Sequence, residues 1–173
     1  MSLPVILILC LAVAIESRGA PIFKQTRLGK KEKPFSLYKI RTMYTGTGDH
    51  PTHNVSGENI TRVGRFIRRV KIDELPQLWN VICGEMSLVG PRPGLPKQKT
   101  LAAIRRQNGI FEYAPGITGL AQVNGIDMST HDELAFADRD YIARRSISLD
   151  MQILIATFVR SKAPKISSEK NDG

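Results

Sequence analysis

Residues 60–82 read Ile60-Thr61-Arg62-Val63-Gly64-Arg65-Phe66-Ile67-Arg68-Arg69-Val70-Lys71-Ile72-Asp73-Glu74-Leu75-Pro76-Gln77-Leu78-Trp79-Asn80-Val81-Ile82. Val63, Phe66, Ile67 and Val70 recur at helical spacing, with Arg62, Arg65, Arg68 and Arg69 between them. Ile60 to Val70 is therefore expected to be a basic amphipathic helix, suited to an anionic membrane surface or an anion site. A merely solvated arginine face is the alternative. A second helix is expected from Asp73, with Pro76 in its first turn, where a missing N–H costs little. Leu75, Leu78, Val81 and Ile82 are its apolar positions, and Gly84 ends it. Asp73-Glu74 then stands at a helix N-terminus just after Arg68, Arg69 and Lys71. Helix N-termini favour anions and depress carboxylate pKa values. A carboxylate so placed stays ionised, and could hold Mg²⁺, attack phosphorus, or cap the helix.

Moving outward, Met86 to Val89 is a short apolar piece leading into Gly90-Pro91-Arg92-Pro93. Proline fixes its own φ and biases the preceding residue towards extended backbone. A guanidinium on so stiff a backbone makes an efficient phosphate clamp. Leu95 to Gln107 is expected to be helical. Pro115 to Gly119 is expected to be a tight turn and Leu120 to Val123 a short extended piece. Thr130 to Arg145 is expected to be a helix opened by a capping box of Thr130 and Glu133. Leu149 to Val159 is an apolar helix and the tail from Arg160 is polar. On the other side, Ala20 to Arg27 is extended in character, Gly29 to Lys33 is a turn, and Pro34 to Met43 alternates like a strand. Thr45 to Asn59 reads as a loop. It holds His50 and His53, whose spacing alone is a weak metal signal. The expected architecture is α+β and mainly helical, with a small β element.

The 173 residues suffice for one domain with a core, or a small domain plus a membrane element. Hydrophobic residues at 42% and charged residues at 24% exclude wholesale disorder and a polytopic membrane protein. Lys and Arg total 25 against 16 Asp and Glu, a formal charge of +9, so the partner is anionic. Leu3 to Ile15 is apolar throughout but short of the about 20 residues that span a bilayer. It fits a re-entrant or interfacial segment, or the apolar part of a signal peptide with Ala12-Val13-Ala14 as cleavage site. No basic residue precedes it. Arg18, Lys24, Arg27, Lys30, Lys31, Lys33, Lys39 and Arg41 follow it, against the one acid Glu32. Such a collar favours an anionic leaflet by about 1 kcal/mol per basic residue near the surface. The two cysteines, Cys10 and Cys83, form no disulfide framework and read as small buried hydrophobes.

The run Asp73 to Val81, followed by Gly84-Glu85-Met86-Ser87-Leu88-Val89-Gly90-Pro91-Arg92-Pro93, resembles the signature of the bacterial sugar transferases, the monotopic polyprenol-phosphate phosphoglycosyl transferases. Further blocks are similar in order: Phe23 to Gly29, Tyr38 to Met43, Pro115 to Val123, Asp138 to Tyr141, and Ser148-Leu149-Asp150. The resemblance covers about Pro4 to Thr157. It implies transfer of a sugar-1-phosphate from a nucleoside diphosphate sugar, expected to be a UDP-sugar, to a polyprenyl phosphate such as undecaprenyl phosphate, initiating glycan synthesis. It implies Mg²⁺ held by Asp73 and Glu74, with Asp73 as nucleophile forming a phosphosugar-enzyme intermediate. By the same resemblance, Arg68 and Arg92 hold phosphates, Lys39, Arg41 and Thr42 contribute to the donor site, and Gln122 and Asp138 are weaker transfers.

The fold implied is a re-entrant or interfacial N-terminal membrane helix with in-plane amphipathic helices around an active site on the cytoplasmic face of the bacterial inner membrane. Family members usually begin with a longer membrane segment, so residues 1–17 are expected to be a shortened re-entrant piece. Residues 18–160 form the catalytic domain and 161–173 a polar tail. The partners are the donor sugar nucleotide, the polyprenyl phosphate and an anionic bilayer, with a homo-oligomer left open. The competing readings are an inactive membrane-associated homologue and a basic nucleic-acid-binding module. The latter is disfavoured by the adjacent carboxylates and the 6% aromatic content, so no nucleic-acid partner is expected.

Overall fold

The computed structural model describes residues 12–17, 19–46, 59–159 and 162–167. The architecture is mixed α+β and mainly helical. Strands β1 (Ile22–Leu28) and β2 (Pro34–Ile40) form a hairpin around a 3₁₀ turn at Lys30–Glu32. Helix α1 (Arg62–Arg69), a 3₁₀ turn at Ile72–Glu74, helix α2 (Gln77–Ile82) and strand β3 (Ser87–Val89) follow. Then come α3 (Lys99–Gln107), a 3₁₀ turn at Ile110–Glu112, β4 (Gly116–Thr118), α4 (Leu120–Val123), α5 (His131–Arg144) and α6 (Ile147–Val159). No helix among the described residues is long and apolar enough to cross a membrane. The expectations for residues 1–11, for most of the loop with His50 and His53, and for the last residues of the tail lie outside the described residues. The chain divides into two compact units, Met1–Gln25 with Ser36–Asn80, and Thr26–Phe35 with Val81–Gly173.

The first unit packs Val13, from helical residues 12–17, against Ile40 and Ile67, with Val63 and Ile72 at the margin. α1 starts one residue after Thr61, whose hydroxyl accepts the Gly64 N–H at 2.8 Å. Glu16 accepts the N–H groups of Arg62 and Val63 at 2.8 and 2.9 Å. Three of the four N–H groups that a helix start leaves orphaned are thus satisfied. Burial pushes the Glu16 carboxyl up, but these bonds outweigh it and hold the group below its ordinary value.

The expected apolar faces are only partly buried. On α1 Ile67 is buried, while Phe66 and Val70 are exposed. On α2 the buried residues are polar, Gln77 and Asn80, and Leu78, Trp79 and Ile82 face solvent. The reason lies on β2. Asn80 donates to the Ser36 carbonyl at 2.7 Å and accepts the Tyr38 N–H at 3.4 Å. A leucine there would leave those backbone groups unpaired, at a cost of about 1–3 kcal/mol each.

In the second unit β3 and β4 pair in parallel, Ser87 opposite Gly116 and Val89 opposite Thr118. The expected tight turn at Pro115–Gly119 is therefore largely strand. Leu120–Val123 is helical rather than extended. Local propensity agrees with the helix there, since Leu120, Ala121 and Gln122 are good helix formers. Leu120 enters a cluster with Val89, Tyr141, Leu149 and Ile153, while Ala121 joins Leu101, Met128, Leu134 and Ala137. A helical turn can send two successive residues into two neighbouring clusters, whereas a strand would put them on opposite faces. Thr130 occupies the N-cap of α5 as expected, but its side chain makes no capping bond. α6 buries Leu149, Ile153 and Ala156 and leaves Ile147, Met151, Ile155, Phe158 and Val159 exposed. Cys83, expected to be buried, is exposed, because it follows the solvent-facing end of α2.

Candidate active site

Within the first unit the chain returns to one place three times. β2 delivers Lys39, and Thr42 follows two residues after the strand ends. α1 lies directly on Thr42, because a Cβ on Gly64 would meet the Thr42 carbonyl oxygen at 2.2 Å. Only glycine permits that approach, and it outweighs the roughly 1 kcal/mol that glycine costs inside a helix. One turn later Arg68 donates from Nε to the Thr42 hydroxyl at 2.7 Å. Lys71 then takes the left-handed conformation, φ 56° and ψ 24°, and leads into the 3₁₀ turn at Ile72–Glu74. Asp73 and Glu74 thus sit in a 3₁₀ turn ahead of α2, not at the N-terminus of an α-helix.

That placement reverses the expected electrostatics. Burial, followed by the neighbouring Glu74 carboxylate, pushes the Asp73 pKa above its ordinary value, and Lys39 and Arg68 offset this only in part. Burial lowers the Arg68 pKa while the Asp73 carboxylate raises it. Arginine remains cationic under such perturbation. Lys39 Nζ stands 3.9 Å from Glu74 Oε1. Lys39, Thr42, Arg68, Asp73 and Glu74 therefore gather around one half-buried spot. Arg41 donates its N–H to the Pro21 carbonyl at 2.7 Å, and its guanidinium lies against Gly19.

The remaining candidates belong to the second unit. Arg92 is half-buried between the buried prolines Pro91 and Pro93. Gln122 donates to the Ile117 carbonyl at 3.0 Å, while its Oε1 is buried without a donor among the described residues. Asp138 is 3% exposed and pairs with Arg105 at 2.7 Å. Burial raises its pKa more than Arg105 lowers it.

Chemically, two adjacent carboxylates with two cations can bind and attack a phosphoanhydride. Carboxylate oxygens are also the donors that Mg²⁺ takes, usually one or two from protein with phosphate and water completing the shell. The repulsion from Glu74 that lifts the Asp73 pKa is the feature a divalent cation would relieve. Asp73 and Glu74 therefore fit Mg²⁺. Sequence reasoning missed Gly64 and Asn80. A glycine inside an otherwise helical pattern was the available signal for the first; nothing local marked the second.

The family model for bacterial sugar transferases matches residues 1–162. An undecaprenyl-phosphate glucose phosphotransferase of Komagataeibacter xylinus is 40% identical over 171 residues, covering 91% of this chain and 32% of the relative. A UDP-glucose:undecaprenyl-phosphate glucose-1-phosphate transferase of Caulobacter vibrioides is 39% identical over 163 residues, covering 89% of this chain and 61% of the relative. An uncharacterized sugar transferase, EpsL, of Bacillus subtilis is 43% identical over 155 residues, covering 88% and 76%. The chain thus spans about a third and about three fifths of the first two relatives. With a match across nearly its whole length, this chain belongs to the bacterial sugar transferase family.

Proposed function

We propose that the chain transfers a sugar-1-phosphate from a UDP-sugar to undecaprenyl phosphate, the first step of an exopolysaccharide or similar glycan. The observation that carries this reading is the packing of Asp73 and Glu74 with Lys39 and Arg68 in one half-buried cluster. Asp73 attacks the sugar-bearing phosphorus of the donor, the bond to the bridging oxygen breaks, and UMP leaves. The phosphosugar then rests on the Asp73 carboxylate until the polyprenyl phosphate oxygen displaces it. Arg68 and Arg92 are each assigned the role of a phosphate ligand. Thr42 fixes Arg68, and Lys39 orients Glu74. Mg²⁺ bound by Asp73 and Glu74 supplies the charge neutralisation that lets an anion approach a diphosphate.

A panel of radiolabelled UDP-sugars, incubated with undecaprenyl phosphate, detergent and Mg²⁺, tests the activity. The expected result is one labelled lipid product, abolished by EDTA and restored by excess Mg²⁺. Absence of labelled lipid with every donor would favour the inactive-homologue reading.

The same reading seats the enzyme on the cytoplasmic face of the inner membrane without a full span. The exposed face of α6, spaced as Ile147, Met151, Ile155 and Phe158, supports it, as do exposed Phe66 and Trp79 in the first unit. Exposed Arg145 lies just before α6 to meet anionic lipid, whereas Arg144 is paired with Asp140 at 2.8 Å. Burying one such side chain in a bilayer is worth about 1.5–3 kcal/mol. The double variant Ile155→Glu with Phe158→Glu should weaken flotation with anionic vesicles by at least about tenfold, with near-UV circular dichroism unchanged. Undiminished flotation would remove α6 from the membrane surface.

A further inference from the structure

Four successive carbonyls, those of Pro91, Arg92, Pro93 and Gly94, each accept a hydrogen bond from elsewhere in the second unit, from three separate elements. Gly116 N–H reaches Pro91 O at 2.9 Å, and Leu28 N–H reaches Gly94 O at 2.9 Å. Between them Arg105 Nη1 donates to Arg92 O at 2.7 Å, and Arg27 Nη1 donates to Pro93 O at 2.9 Å. Residues 91–94 form neither helix nor strand. Pro91 and Pro93 have no N–H, so the segment cannot tie itself down by reciprocal strand pairing. External donors fix it instead.

Two of those donors are buried guanidinium groups, Arg105 at 2% exposure and Arg27 at 5%. Arg105 gives its other terminal nitrogen to Asp138 Oδ2 at 2.7 Å, across from α3 to α5. A buried ion pair is a poor device for stability, since apolar residues of equal volume do as well or better. It is a good device for geometry. The planar guanidinium presents its two terminal N–H groups at a fixed angle, so anchoring one on a carboxylate aims the other. Here the aim is the carbonyl of Arg92 itself.

We propose that Arg105, aimed by Asp138, is a positioning residue that fixes the backbone of Arg92 so that its side chain meets the phosphates of the sugar nucleotide. This rests on the reading of Arg92 as a phosphate ligand, and it makes Asp138 a residue that acts through Arg105 rather than on substrate. Arg27, on the neighbouring carbonyl, supports the same segment.

A double-mutant cycle tests it, using the full chain, a UDP-sugar that the enzyme accepts, undecaprenyl phosphate and Mg²⁺. Arg92→Ala should lose on the order of 10²-fold or more in kcat. Asp138→Asn, near-isosteric but uncharged, should lose on the order of tenfold in kcat. The combined variant should be no worse than Arg92→Ala alone, within about twofold, because Asp138 has nothing left to position. A purely structural role would instead multiply the two losses, and that result would overturn the proposal. Should Asp138→Asn fail to fold by thermal melting, Arg27→Lys enters the same cycle through the Pro93 carbonyl. If Arg92→Ala itself turns over normally, the phosphate reading of Arg92 falls and the proposal with it. If Arg92→Ala is inactive but the cycle is multiplicative, only the positioning role falls.

Discussion

Asp73→Asn is expected to reduce turnover to background, a loss on the order of 10⁶-fold if it matches the removal of other covalent nucleophiles. An amide cannot form the acyl phosphate, so no residual covalent route remains. With UDP-sugar alone, the unmodified enzyme should release UMP in at most stoichiometric amount and gain a hexose phosphate on the peptide containing Asp73. The variant should do neither. Its fold should survive, and the sign of the stability change follows from the raised pKa of Asp73. A raised carboxyl favours the folded state most at pH below its unfolded pKa, and that advantage is lost as pH rises through its folded pKa. At neutral pH the raised pKa therefore counts against the folded chain, a cost that asparagine removes. Measured in EDTA, the variant should melt above the unmodified protein at pH 7, with the difference shrinking as pH falls below the ordinary carboxylate range. Lipid-linked product from Asp73→Asn at a substantial rate, or an adduct on another residue, would defeat the covalent assignment.

Arg92→Lys is expected to fold normally and lose on the order of 10²-fold in kcat. Lysine keeps the charge but not the planar fork that grips two phosphate oxygens together. The backbone of residues 91–94 is held through carbonyls, none of which the substitution removes. Steady-state kinetics with the UDP-sugar should show the loss in kcat. Near-normal turnover would mean that the residue between the prolines serves shape alone.

The gathering of the candidate residues was more legible than the packing around them. Arg68, Asp73 and Glu74 stand in one short stretch whose residue types point to anion chemistry, and the spacing of Val63, Phe66, Ile67 and Val70 placed α1 within two residues. The exposure of Phe66 and Val70, and of Leu78 on α2, was not legible. Helical periodicity marks an apolar face without saying whether protein or another apolar phase covers it. Asn80 was illegible for a different reason, since its partners Ser36 and Tyr38 lie more than forty residues earlier. The direction of the Asp73 pKa shift was misjudged because a 3₁₀ turn replaced the α-helical N-terminus. Without that helix dipole, burial and Glu74 outweigh the cations. Leu120–Val123 was read as extended although Leu120, Ala121 and Gln122 are good helix formers, and its two separate clusters agree with the helix.

The bonds from Glu16 to the start of α1 join residues 46 and 47 positions apart. Synthesis runs from the N-terminus at roughly 5–20 residues per second. The apolar segment around Val13 is therefore synthesised roughly 3–10 s before Ile67, against which it packs. During that interval the segment has no protein partner of its own, and a bilayer or a chaperone is the competing host. The order of events in the cell is thus set by the chain's own wiring: the segment around Val13 meets its surroundings before Ile67 does, and the cluster around Asp73 assembles afterwards upon whatever position that segment has taken.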